Sequence, residues 1–386
     1  MAHLNSRRNP TEPLAVYLHW PYCARICPYC DFNVHLDRRA GEAEALVESI
    51  ITDLQSWRDW TGPREIGSIH FGGGTPSLLS GRQLSTLIKT VQRLWTVSDA
   101  EIAIEANPND VTAERLEAWS KAGLTRLSLG VQSFDDDVLK RLGRDHDGAA
   151  ARRAVEQSVS IFPSVSVDLI FGVIGEEEGR LSSDLDALLE VGVPHISTYQ
   201  LTIEPGTAFA RAETRGDMKA VDDKESAAGF SLIQSTLGAR GYRHYEVSNF
   251  AKPDHESRHN LAYWRGYDYV GVGPGAHGRL WTNMGRVATE TALRPADYIK
   301  RVQNTGLGLS EQETLSPEAA AEEYVLMGLR IEEGLSLQRV EAIRERALSV
   351  DPELIEEGWL SVEGDRLRAT PKGRMVLDAL TRALLV

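Results

Sequence analysis

Three cysteines occur in the 386 residues, and all three fall in one eight-residue window, Cys23-Ala-Arg-Ile-Cys27-Pro-Tyr-Cys30. Thiolates in a C-x3-C-x2-C spacing can fold around one cubane and bind three of its four irons, and cysteine thiolates are the usual ligands of such clusters. No cysteine elsewhere closes the fourth iron. An open iron can chelate an amino and a carboxylate group, and S-adenosylmethionine offers both. Structural cysteines would instead be scattered through the core. Zinc sites show paired C-x2-C or C-x2-C/H-x3-H spacings, and here His19 or His35 would have to supply the fourth ligand. A disulfide framework does not suit an odd cysteine count in a chain this long. The spacing favours an iron–sulfur cluster.

Other stretches could hold a ligand beside it. Gly72-Gly73-Gly74-Thr75-Pro76 lets a ligand approach the backbone closely, because glycine has no Cβ; the same residues would also make a tight turn. Glu105 and Asp168 fall at or near strand ends, where a carboxylate can accept hydrogen bonds from ribose hydroxyls or an ammonium, or cap a helix. Gly271-Val-Gly273-Pro-Gly275-Ala-His277-Gly278 is only loosely like a dinucleotide fingerprint, since Pro274 interrupts it and no clear helix follows.

The elements that must position these residues alternate. Strands are predicted at Ala15–His19, Ile66–Phe71, Glu101–Glu105, Thr125–Val131, Val165–Phe171 and His195–Leu201. Between them the apolar spacing predicts helices at Ala40–Trp60, Arg82–Trp95, Val111–Ala122, Asp135–Leu142, Gly148–Ser158 and Leu181–Val191. Six βα units imply a parallel sheet with helices outside, and the polar signatures sit just after strands, at the carboxyl edge where such folds place their sites. Six units rather than eight predict an open, partial (β/α)6 barrel, in which the cysteine loop, the glycine turn, Glu105, Gln132 and Asp168 converge on one mouth. Beyond it come a helix at Asp223–Ala239, a short strand at Tyr245–Asn249 and a loop-rich stretch from Pro253 to Gly278. Helices at Glu318–Glu333, Leu337–Ala347 and Glu353–Glu357, strands at Leu360–Val362 and Leu367–Thr370 and a last helix at Gly373–Leu385 suggest a small winged-helix-like domain. The expected division is a barrel over 1–250, a loop-rich extension over 251–310 and a C-terminal helical domain over 311–386.

A net charge of −14 opposes non-specific binding to nucleic acid or anionic membrane. No apolar run approaches the roughly 20 residues of a membrane helix. Met1–Pro13 carries Arg7 and Arg8 without an apolar core, unlike a secretory signal, and is short for a mitochondrial transit peptide. Reduced thiolates then place the protein in the cytoplasm.

Tyr17-Leu-His19-Trp-Pro21-Tyr-Cys23-x3-Cys27-x2-Cys30-Asp31-Phe32 resembles the radical S-adenosylmethionine proteins related to oxygen-independent coproporphyrinogen III oxidase. Gly72-Gly-Gly-Thr-Pro76, Glu105-Ala-Asn-Pro108, Gly130-Val-Gln132-Ser-Phe134 and Asp168-Leu-Ile-Phe-Gly172 match that superfamily in order and spacing, and the likeness covers nearly the whole chain. The resemblance implies that Cys23, Cys27 and Cys30 ligate a [4Fe–4S] cluster. It implies adenosylmethionine contacts from Tyr17, Gly73, Gly74, Thr75, Glu105, Gln132, Arg144 and Asp168. Gly172-Val-Ile-Gly175 departs from the more usual G-L-P-G.

The oxidases resemble C-x3-C-x2-C-x-C behind a longer N-terminal segment; here Phe32 stands at the extra cysteine and that segment is missing. His259-Asn260-Leu-Ala-Tyr263-Trp264 instead resembles the H-N-x-x-Y-W signature of HemW-type haem chaperones. That likeness implies haem bound through His259, with Tyr263 and Trp264 flanking the porphyrin, and haem-accepting proteins as partners. His255 and His277 are nearby alternatives, and a histidine that only hydrogen-bonds a packed loop is another. The second function class is the oxidase reaction itself, radical oxidative decarboxylation of coproporphyrinogen III.

Overall fold

A computed structural model of the chain describes residues 12–36, 41–173 and 179–385. The segment 1–11, residue 40 at the start of the first expected helix, and Ile174 and Gly175 of the departing loop lie outside the described residues.

Strand β1 (Leu14–Trp20) turns Val16 and Leu18 to one face and Tyr17 and His19 to the other. Two-residue strands β2 (Tyr22–Cys23) and β3 (His35–Leu36) pair in parallel and close the cysteine loop at its base. Helix α1 (Glu42–Thr61) returns the chain to β4 (Ile66–Gly73), which runs parallel to β1 with His70 beside Tyr17 and Gly73 beside Trp20. The pattern repeats through α2 (Gly81–Leu94), β5 (Glu101–Ala106), α3 (Ala113–Ala122), β6 (Arg126–Gln132), α4 (Asp136–Arg141), α5 (Gly148–Ile161), β7 (Ser164–Phe171), α6 (Arg180–Val191) and β8 (His195–Gln200). Helices begin where the sequence supplies caps. Ser80 and Gln83 form a reciprocal capping box on α2, and Thr112, Asp135 and Asp147 accept from first-turn amides of α3, α4 and α5.

The six strands lie in the order β1-β4-β5-β6-β7-β8, all parallel, as six βα units require. Val16, Ile69, Ile104, Leu127 and Val167 are buried in the core under the helices. The alternate positions, among them Tyr17, His70, Glu105, Ser128 and Asp168, face the lumen and are polar.

The sheet does not stop at six strands. After α7 (Ala208–Thr214) and α8 (Asp223–Ala239), the single strand expected at Tyr245–Asn249 is a hairpin, β9 (Arg243–Glu246) and β10 (Asn249–Ala251), antiparallel on β8. Its turn is fixed by Glu246, which accepts from the Ser248 amide and the Asn249 side chain. The stretch expected to be loop-rich holds α9 (Arg258–Trp264) and β11 (Tyr269–Val272), which pairs parallel with β1 on its free side. Strands β12 (His277–Thr282) and β13 (Gly285–Thr291), α10 (Pro295–Thr305) and β14 (Leu309–Thr314) follow, giving a twelve-stranded sheet whose ends, β14 and β9, stay apart. Four residues containing a glycine carry no alternation that would announce β11; its pairing with β1 makes it a strand. The glycines permit the approach, since a Cβ on Gly273 would stand 2.2 Å from the His19 carbonyl oxygen.

The C-terminal unit has its own core around Val325, Leu335, Val340, Leu360 and Leu367. It comprises α11 (Pro317–Gly328), β15 (Leu335–Ser336), α12 (Leu337–Arg344), α13 (Pro352–Glu356), β16 (Leu360–Glu363), β17 (Arg366–Ala369), α14 (Pro371–Arg374) and α15 (Leu377–Leu385). The helix expected over Glu318–Glu333 ends at Gly328, because Ile331 bridges Glu246 and the Glu332 amide donates to the Tyr245 carbonyl instead. Strand β15 adds a third member to the expected hairpin.

Buried Asp53 of α1 accepts a hydrogen bond from the Tyr298 hydroxyl of α10 at 2.6 Å, and burial pushes its carboxyl up to about 7. The folded value lies above the unfolded one, so this group's contribution to stability is full below about pH 4 and lost as pH rises through about 7. Denaturant unfolding between pH 5 and 7.5 should therefore show a shallower loss of stability with rising pH in Asp53→Asn than in wild type; equal slopes would contradict it.

Candidate functional site

The cysteine loop is tied to the frame through its backbone. The Trp20 carbonyl accepts from the Gly74 amide at 2.7 Å, the Tyr22 carbonyl from the Thr75 amide at 2.9 Å, and the Pro21 carbonyl from the His35 amide at 2.7 Å. The pairing of β1 with β4 thus continues past the strand ends into the loop and the glycine turn. Gly74 is demanded there, because a Cβ would stand 2.8 Å from the carbonyl oxygens of Pro21 and Tyr22. Gly73 adopts φ +108°, and its Cβ would meet the His19 ring at 2.6 Å. The Thr75 hydroxyl donates to Cys23 Sγ at 3.3 Å, and the Cys30 amide donates to the Cys27 carbonyl at 3.1 Å, folding the loop back.

All three thiols are free and line one cavity of about 380 Å³ together with Gly73, Gly74 and Thr75. Glu105, Gln132, Asp168 and Arg144 line the same cavity. Gln132 holds φ +70°, a left-handed conformation uncommon for a side-chain-bearing residue, where the β6–β7 register slips. Arg144 Nη1 donates to Cys27 Sγ at 3.3 Å, while Nη2 donates to Asn107 Oδ1 at 2.5 Å and the Gly130 carbonyl at 2.9 Å. The guanidinium therefore bridges the cysteine loop and the ends of β5 and β6. Glu105 accepts from His70 Nε2 at 3.0 Å and from the Gly73 amide at 3.3 Å. Burial pushes Asp168 up to about 7, against hydrogen bonds from Ser197 and Ser128.

The donor set fits a metal cluster. Burial raises Cys23 and pushes Cys30 up to about 11, so a multivalent cation is what would bring these thiols to their ligating form. Among the described residues no three His, Cys, Asp or Glu side chains converge as one metal ion would need. The glycine turn beside the thiols leaves backbone open to a ligand.

Tyr17 and His259 stand off this wall. The Tyr17 hydroxyl donates to His19 Nδ1 at 3.0 Å, with the tautomer assigned from His19 Nε2 donating to the Asn33 carbonyl at 3.0 Å. His259 is 2% exposed, on the floor of the lumen. Its Nδ1 pairs with the Ser68 hydroxyl at 2.9 Å, its Nε2 with the Tyr263 hydroxyl at 2.8 Å, and its amide donates to Glu101 at 3.1 Å. Burial holds its pKa well below the ordinary value. Tyr263 is therefore a partner of His259, and Trp264 lies beneath Arg330 of the C-terminal unit, 4.6 Å from ring centre to guanidinium. A second cavity of about 150 Å³, lined by Tyr263, Trp264, Tyr324 and Met327, separates barrel floor and C-terminal unit. His255 pairs with Ser164 at 3.3 Å, and His277 is exposed at the start of β12.

Residues 17–188 match the Radical SAM superfamily and residues 315–376 the HemN C-terminal domain. A protein of Mycobacterium tuberculosis named Heme chaperone HemW is 38% identical over 385 residues, covering 97% of this chain and 96% of its own. Its Escherichia coli counterpart of the same name is 37% identical, covering 97% and 98%. The chain belongs to the HemW family of the radical SAM superfamily. A bovine protein named Radical S-adenosyl methionine domain-containing protein 1, mitochondrial, is 36% identical to this HemW-family chain over 97% of it and 88% of the bovine protein. The fold matches that of coproporphyrinogen III oxidase (HemN) from Escherichia coli, with a TM-score of 0.81 at 22% identity over 98% and 91% of the two chains.

Sequence reasoning missed several residues that build the site in this HemW-family chain. His70 holds Glu105, and Asn107 holds Arg144. Asn33 donates to the carbonyls of Pro274 and Leu293 at 2.9 and 2.8 Å, latching the cysteine loop onto the Gly273–Gly275 turn. The loose dinucleotide pattern is thus a packing surface for that loop. His70 had a legible signal, lying on the lumen side of a strand two residues before the glycines. Asn33 had none.

Gly74→Ala should displace the cysteine loop and lower stability by about 1–3 kcal/mol, read by denaturant unfolding. Wild-type stability in the variant would show that the loop has slack there.

Proposed function

We propose that this chain is a haem chaperone. It binds haem through His259 and hands it to haem-accepting proteins, while Cys23, Cys27 and Cys30 hold a [4Fe–4S] cluster and Tyr17, Gly73, Gly74, Thr75, Glu105, Gln132, Arg144 and Asp168 serve adenosylmethionine. The observation that carries this reading is full-length likeness to relatives named heme chaperone. Phe32 in place of the oxidases' extra cysteine supports it. When bound, the cluster and adenosylmethionine supply one-electron chemistry. Of the chain's own residues, Arg144 donates to Cys27 Sγ and holds the cysteine loop against the cavity wall, the glycine turn admits the ligand, and Glu105, Gln132 and Asp168 offer partners for hydroxyl and amino groups. Among the described residues no helix is long and apolar enough to cross a membrane.

Burial keeps His259 neutral, the form that ligates iron. To reach haem its ring must exchange Ser68 or Tyr263 for the metal, and α9 must part from the C-terminal unit. That parting opens the contacts of Trp264 with Arg330 and of Arg265 with Glu333. Their cost is set against haem affinity, which suits a protein that must release its cargo.

Anaerobic reconstitution should yield iron and sulfide in the ratio of a cubane; a colourless or zinc-loaded protein would overturn the cluster. Haem titration followed at the Soret band should show His259→Ala binding about tenfold or more weakly than wild type. Equal affinity with an unchanged spectrum would remove His259 as ligand. Sustained formation of protoporphyrinogen from coproporphyrinogen III would replace the chaperone reading with the oxidase.

A further inference from the structure

We infer that His70 is a positioning residue for adenosylmethionine, and that α9, through His259, is the element that holds His70 in place. The inference rests on the reading that Glu105 contacts adenosylmethionine.

Glu105 reaches the cavity from the end of β5 with its side chain 40% exposed. Free in water, a carboxylate on a flexible stem would sample many directions. Here one oxygen accepts from His70 Nε2 and the other from the Gly73 amide, so its plane is set relative to the glycine turn. His70 is the lever in that arrangement, and its own orientation has an unusual source. The other ring nitrogen, Nδ1, is buried and has no hydrogen-bond partner. No second hydrogen bond therefore fixes the ring. Stacking does: the His259 ring lies 4.6 Å away at an interplanar angle of 13°, and the Tyr17 ring 6.1 Å away at 21°. His259 is in turn fixed at both nitrogens, by Ser68 of β4 and Tyr263 one turn along α9. The chain of contacts runs from α9 to His259, to His70, to Glu105 and to the Gly73 amide.

A lumen filled only for packing would need no such geometry. Leaving one imidazole nitrogen bare in a buried place is unfavourable. The ring accepts that penalty in the orientation that aims its N–H at the carboxylate. Drawing α9 off the lumen floor frees His70 to turn and Glu105 to swing. By linkage, a ligand held by Glu105 favours the seated helix.

The test uses full-length, anaerobically reconstituted protein, with adenosylmethionine affinity measured by equilibrium dialysis and iron content measured on the same samples. His70→Phe keeps a stacked ring and loses the donor; it should bind adenosylmethionine about tenfold more weakly, with iron content and unfolding midpoint unchanged. His70→Gln restores an N–H donor and should recover most of that loss. His259→Ala, which removes the supporting ring, should weaken binding in the same direction. Glu105→Ala is the control and should weaken it at least as much as His70→Phe. Wild-type affinity in His70→Phe beside a weakened Glu105→Ala overturns the inference and leaves the adenosylmethionine reading standing. No effect in Glu105→Ala overturns that reading, and the inference with it. Loss of iron or a lowered midpoint in both His70 variants marks a merely structural role and overturns the inference, and wild-type affinity in His259→Ala removes α9 from it.

Discussion

The parallel pairing of β1 with β4 is the constraint on which the rest of the site depends. It sets Trp20 beside Gly73, and the hydrogen bonds from Gly74 and Thr75 to Trp20 and Tyr22 carry the same register into the loops. The cysteine loop and the glycine turn are therefore adjacent because two backbones are in register, not because their side chains attract. Backbone pairing is also why glycine is needed: at this separation a Cβ on Gly74 meets carbonyl oxygen. The other walls of the cavity follow from adding further parallel strands, since every strand of such a sheet delivers its last residues to the same edge.

A partial barrel leaves its lumen open below, and this chain fills it with polar groups rather than aliphatic ones. Arg126 is buried with Glu101 at 3.3 Å and with the hydroxyls of Ser164 and Ser166. Asp268 is buried between Arg64 at 2.8 Å and Arg286 at 3.2 Å, and also accepts from the Trp281 amide. Ions this deep contribute little net stability as pairs, but removing one partner strands the other and costs on the order of 3–5 kcal/mol. Their effect is to fix where α9 and β11 sit. The Glu101 carboxylate that meets Arg126 also accepts the His259 amide, so the signature segment is seated by the same buried charges.

The C-terminal unit closes this floor from outside. Arg330 reaches Glu246, wholly buried at the edge of the sheet, at 2.6 Å. Arg265 makes two hydrogen bonds to Glu333 at 2.8 Å, and Arg339 pairs with Glu12 at 2.7 Å and donates to the Gly266 carbonyl. Several of these contacts fall within two residues of Trp264, so the segment resembling the haem signature is the seam between the two units. Polar, partly exposed contacts of this kind hold units together less tightly than an apolar core does. A seam of that character suits a segment whose proposed ligand requires it to open.

The sequence by itself determined the chemistry available and the frame that presents it. Three cysteines in one window admit few uses, and alternating apolar strands between amphipathic helices admit few folds, because both signals are local and repeat along the chain. The C-terminal hairpin and the placement of Glu105, Gln132 and Asp168 on the strands of the alternating array were legible for the same reason. Tertiary structure decided what depended on partners distant in sequence. Strand β11 exists because β1 offers a free edge some 250 residues earlier in the chain. The Gly273–Gly275 turn takes its meaning from Asn33, and the helix begun at Pro317 stops short because Ile331 finds Glu246. His259 shows the division most clearly. The resemblance of its segment implied a haem ligand, while its burial, its two occupied nitrogens and its stack on His70 were set by a lumen that no window of sequence describes.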